Sequence, residues 1–182
     1  SGHERAARLV AQRLAAAGLS PAGDNGSWFQ RIPFEEFSVA DATLRGNDGD
    51  LVFLDHFTVV PNTGLPSRLT APITYRGYCA PDVLENVAGK LVICHGTTRS
   101  GLPGRAEREA AVRSAGASGM ATIADPGFSV EPPRWPFAYA RLVERRGELP
   151  KPDPFVEIYL NADMLHLLLG RDTEALVALG AT

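Results

Sequence analysis

Two short apolar runs, Lys90-Leu91-Val92-Ile93-Cys94 and Met120-Ala121-Thr122-Ile123-Ala124, constrain this chain more than any other feature. Neither alternates between apolar and polar residues, so each reads as a strand covered on both faces, the habit of parallel sheets. Between them, Arg105 to Ala115 has helical composition, with Ala106, Ala110, Ala111 and Ala115 as a small-residue packing face. Gly116 and Gly119 end that helix. Strand, helix and strand from Gly89 to Asp125 make a βαβ unit, which predicts a right-handed crossover into a parallel pair.

The flanking segments are shorter and more often broken. Residues 3–17 are predicted helical, with Ala6, Leu9, Val10, Leu14 and Ala17 on one apolar face. Ser1 and Glu4 have capping-box spacing, Gly18 suits the position after the helix, and Pro21 blocks continuation. Asp24-Asn25-Gly26 is a turn, and Trp28 to Phe34 leaves it as an extended strand. Residues 42–45 and 51–54 flank Asn47-Asp48-Gly49 as a hairpin, and 73–78 form a further strand. Residues 126–154, rich in proline and carrying Trp135, Phe137 and Tyr139, read as a long ordered surface loop that packs over the core. Phe155 to Leu160 is a final strand. Asn161 caps a short helix that Gly170 ends, and a last helix lies near Thr173–Leu179.

Composition excludes several classes. With 18 glycines and 14 prolines in 182 residues, the chain turns often and its elements are short. A net charge of −3 without basic clusters argues against a nucleic-acid surface. No apolar run reaches the ~18 residues that a membrane helix needs. The opening Ser1-Gly2-His3-Glu4 has no initiator Met, as expected of a segment from within a longer protein. Cys79 and Cys94 cannot make a disulfide framework; they either pair with each other or remain buried thiols.

Candidate chemistry is sparse. Asp55-His56 follows an apolar strand, where a zinc ligand or general base could sit, or simply a polar turn. His3, His56, His95 and His166 lie on four separate elements, with none of the paired spacings that build a metal site. Cys94-His95 are sequence neighbours on a strand, so their side chains point to opposite faces and cannot act as a nucleophile–base pair. Ser100-Gly101-Leu102-Pro103-Gly104 occupies the slot of a phosphate loop but lacks its glycine and lysine pattern. Gly127 belongs to no nucleophile elbow.

Gly89-Lys90-Leu91-Val92-Ile93-Cys94, together with Ala115-Gly116-Ala117-Ser118-Gly119-Met120-Ala121, resembles the protease-associated (PA) domain. Tyr75-Arg76-Gly77-Tyr78-Cys79-Ala80-Pro81 and Val87-Ala88-Gly89-Lys90 resemble the strand and turn that precede that signature. Glu4 to Asp24, followed by Trp28-Phe29-Gln30, is similar to the opening of M28-family zinc peptidases, in which a PA domain is commonly inserted early. The resemblance implies a PA-like mixed β-sheet or open β-barrel with a βαβ crossover and short flanking helices. It divides the chain into 1–38, the start of a peptidase domain; 39–162, the PA-like domain; and 163–182, a helical segment leading towards a catalytic part.

The family's catalysis uses two zinc ions, with histidine, aspartate and glutamate ligands and a separate glutamate as base. Leu54-Asp55-His56 lacks the preceding histidine of the family's metal motif and lies upstream of the PA signature; Asp24-Asn25-Gly26 falls in the turn after the first helix. No catalytic, cofactor-binding or metal residue is therefore assigned to this chain, and zinc is expected only in the parent's catalytic domain. The implied role is a non-catalytic element at the substrate cleft of a zinc aminopeptidase, with that peptidase domain and a peptide substrate as partners. A secreted or periplasmic parent is implied too. The alternative is a free-standing or receptor-type PA module that binds a protein or peptide.

Overall fold

The computed structural model describes residues 1–96, 100–123 and 134–170. Helix α1 spans Gly2–Ala16, and its capping box is present, with the Glu4 N–H donating to Ser1 Oγ and the Ser1 amino group to Glu4 Oε2. Strands β1 (Phe34–Ser38), β2 (Leu44–Arg45), β3 (Asp50–Leu51), β4 (Phe57–Val59), β5 (Ile73–Tyr75) and β6 (Leu91–His95) follow. Helix α2 (Arg105–Ser114) then leads to β7 (Gly119–Ile123), β8 (Arg141–Arg145), β9 (Val156–Leu160) and α3 (Leu165–Leu169).

Five strands form the main mixed sheet in the order β4-β9-β7-β6-β5. β5, β6, β7 and β9 run parallel, and β4 closes one edge antiparallel to β9. The expected βαβ unit is β6-α2-β7, with Leu91 opposite Gly119 and His95 opposite Ile123. Gly119 serves that register directly, because a Cβ there would lie 2.5 Å from the Val156 carbonyl oxygen on β9. The hairpin expected around Asn47-Asp48-Gly49 is β2-β3, and Gly170 ends α3 in the left-handed region at φ 62°.

Alternation along the strands sorts the core into two clusters. Leu91, Ile93, Ala121, Ile123, Ile158 and Leu160 face one side, where Leu165 and Leu168 of α3 cover them. Val92, Cys94 and Met120 face the other side, against Val112 of α2, Cys79, Leu84 and Val87.

Several expectations are corrected. The strand expected at 28–34 is β1 at Phe34–Ser38, displaced because its partner is β8, and the pairing runs from Phe34–Arg145 to Ser38–Arg141. β8 itself, with the 3-10 turn Phe137–Ala140, lies inside the segment expected to be a loop. The packed face of α2 is Arg108 and Val112, flanked by Ala111 and Ala115, whereas Ala106 and Ala110 are exposed. The apolar stripe of α1 is bare: Leu9 is 50% and Val10 55% exposed, and Ala11 is the helix's buried residue. Asn161 does not cap its helix by its side chain; its amide donates to the Asp55 carbonyl at 2.7 Å instead. The helix expected near Thr173–Leu179 lies outside the described residues.

Candidate functional site

A concavity of about 1110 Å³ lies over the α3 side of the main sheet. Its floor is Phe57, Val59, Leu91, Val156 and Ile158. Its walls are residues 37–45, leaving β1, and the proline-rich connection 65–71 before β5. A recess of about 570 Å³ lies beside β5 and shares Arg45, Ala71 and Ile73 with this groove. Leu168, Leu169, Gly46 and Asn47 line its far wall. Gly46 is required there, because a Cβ would sit 2.1 Å from the Leu167 carbonyl oxygen. The larger groove is concave with more apolar than polar surface, whereas the recess beside β5 is mainly polar.

The sequence candidates lie elsewhere and are occupied structurally. Asp55 and His56 form a tight turn in which Leu54 takes φ 66° and its N–H donates to Phe57 O. The Val52 N–H donates to His56 Nδ1 at 3.1 Å, and Asn161 donates to the carbonyls of both Asp55 and His56. The pair is therefore a polar turn bonded to the end of β9. Cys94 forms a disulfide with Cys79, their Cα atoms 5.6 Å apart, so neither sulfur is a thiolate nucleophile. That settles the pairing in favour of the bridge over buried free thiols. Cys79 is not in a strand; it occupies a turn after β5 at φ 53°, and the parallel register of β5 with β6 carries it alongside Cys94.

His95, at the carboxyl end of β6, is buried and stacks on Tyr78 with ring centroids 5.0 Å apart. Arg108, 2% exposed, donates from its guanidinium to Gly96 O at 3.1 Å. Burial, with Arg105 adding, pulls its guanidinium below the usual arginine range against the opposing influence of Tyr78. Carboxyl ends of parallel strands are where ligands commonly bind, but here these side chains fill the position. The start of α2 is filled as well, since the Gly104 N–H donates to Glu107 Oε2 at 2.7 Å. An anion would have to displace that carboxylate. Gly127 lies outside the described residues, as does 126–133 of the aromatic segment. Trp135 is buried and its backbone N–H donates to Leu54 O, while Phe137 and Tyr139 are exposed.

An ionic cluster ties α2 to β9 and was not anticipated. Arg113 donates to Glu109 at 2.8 Å, Glu157 at 3.1 Å and Asp153, with its guanidinium over the Phe155 ring. Arg105 lies 3.5 Å from Glu157 and over Tyr159. Burial, then the neighbouring Glu109 carboxyl, pushes the Glu157 carboxyl above the usual glutamate range despite both arginines. The helical spacing of Glu109 and Arg113 was visible in the sequence, but Asp153 and Glu157 join only through the fold.

Among the described residues no group of three or more histidine, cysteine, aspartate or glutamate side chains could hold a metal ion. No helix among them is long and apolar enough to cross a membrane. Neither a family model nor a curated protein matches the sequence.

Proposed function

We propose that this chain is the non-catalytic PA-type part of a zinc-dependent M28-type aminopeptidase, where it borders the substrate cleft and contributes to peptide selection. The observation that carries the reading is the bare apolar stripe of α1, continued by exposed Phe29, Ile32 and Phe34. A helix that buries almost nothing in its own chain is suited to packing against another domain, here the peptidase domain. The residues that resemble the PA signature fall on the end of β5, on β6 and β7 and on the turns that lead into those two strands, an arrangement compatible with that domain though common to many α/β folds.

In this role the chain supplies shape and apolar contact, and zinc chemistry belongs to the peptidase domain. With zinc and amino-acid p-nitroanilides the isolated chain should release no p-nitroaniline; sustained zinc-dependent release would overturn the reading. In the parent enzyme, removing residues 39–162 should alter the ranking of peptide substrates more than the turnover of the smallest one. An unchanged ranking would leave the chain no part in selection.

A further inference from the structure

The sheet ends on β5, and the open side of that strand carries an unused set of main-chain groups. In the parallel pairing with β6, Leu91 donates to Pro72 O and Arg76 donates to Ile93 O. Groups alternate along a strand, so Thr74 also faces β6, and Ile73 and Tyr75 turn their N–H and C=O groups outward. Among the described residues, the outward N–H groups of Ile73 and Tyr75 and the Ile73 carbonyl meet no partner. The Tyr75 carbonyl accepts from Arg76 Nη1 at 3.3 Å. These groups line the recess of about 570 Å³ rather than a convex surface. Pro72 does not block them, because its carbonyl already serves β6. No lysine or bulge guards the strand, as exposed edges commonly require.

From this pattern we infer that β5 is a docking edge for an extended peptide, added as a sixth strand parallel to β5. Parallel addition continues the run of parallel strands β9-β7-β6-β5 that ends on this edge. In parallel addition one peptide residue donates to Ile73 O and accepts from the Tyr75 N–H, and the residue two before it accepts from the Ile73 N–H. All three free groups are then used and Arg76 keeps its bond to Tyr75 O. Side chains alternate faces, so the peptide residues on either side of the one opposite Thr74 fall on the face of Ile73 and Tyr75, towards Leu168 and Leu169. The chemistry recognised is therefore an extended segment held chiefly by main-chain bonds, with alternate side chains facing Leu169.

This goes beyond the peptidase reading and stands without it, since neither zinc nor a catalytic domain enters the geometry or the assay. The test is amide hydrogen exchange followed by NMR on the whole chain, with acetyl-Thr-Val-Thr-Val-Thr-amide at millimolar concentration as the probe. The Ile73 and Tyr75 amides should exchange rapidly without peptide and slow by about tenfold or more at saturation, while Thr74, already bonded to β6, changes little. The same peptide methylated on every backbone nitrogen should give no protection. Unchanged exchange at Ile73 and Tyr75, or equal protection by the methylated peptide, would overturn the assignment. Protection that tracks the protein's own concentration without peptide would overturn it in favour of a second copy on the edge.

Discussion

Thr58 is fully buried in β4, and its hydroxyl has no hydrogen-bond partner among the described residues. A buried hydroxyl without a partner costs about 1–3 kcal/mol, so the nearly isosteric Thr58→Val should stabilise the chain by about 1 kcal/mol. A higher urea midpoint at unchanged slope would show it. Glu157 sets a second expectation. Its carboxyl is held above the ordinary glutamate value by burial and by Glu109, so the folded chain keeps a proton there that the unfolded chain has released. That contribution is complete below the unfolded value of 4.5 and is lost as pH rises through the raised folded value. Glu157→Gln should flatten the fall in stability with pH across that window, read from urea midpoints in a pH series. Neither residue stands out in the sequence: a threonine in Phe-Thr-Val suits any strand, and Glu157 meets Glu109 only across the β9–α2 contact.

At the scale of elements, the Cys79–Cys94 bridge pins the turn after β5 to β6, and both cysteines are completely buried. It joins residues 15 apart in sequence, and closing a loop of that length contributes about 3 kcal/mol in the chain-entropy picture. The double variant Cys79→Ala with Cys94→Ala should lose about that much stability, and a reducing agent should destabilise the parent chain but not the variant. A bridge of this kind persists in oxidising compartments. The two cysteines were plain in the sequence, yet their pairing depended on a left-handed turn at Cys79 and on the β5–β6 register. β1 and β8 were hidden for a related reason. They form a separate two-stranded sheet whose residues include exposed Phe34 and Val143, and each finds its partner more than a hundred residues away. Periodicity within either segment carries no trace of that partner.

For the whole molecule, the main sheet and its two core clusters form one body, while α1 contributes little to it. Replacing Leu9, Val10 and Leu14 together by glutamine should therefore change the unfolding free energy of this chain by less than ~0.5 kcal/mol, measured by urea denaturation. In the proposed parent the same three changes should weaken association between this part and the peptidase domain, read by limited proteolysis. Intact association would remove the main support for the proposed function.

The sequence by itself determined that the chain is α/β, that β6, α2 and β7 form its centre, and where α1, the β2-β3 hairpin and α3 begin and end within a few residues. Those features rest on runs, caps and glycines that act over one or two turns of chain, so local sequence contains their cause. It also marked Asp55-His56 as a polar turn as readily as a site, and the bonds from Val52 and Asn161 show the turn. Only the tertiary structure decided which face of each helix is covered, where β1 finds its partner, that the cysteines pair, and which main-chain groups of β5 stay open. Each of these depends on contacts between segments far apart in sequence, and a single chain read residue by residue does not carry that information.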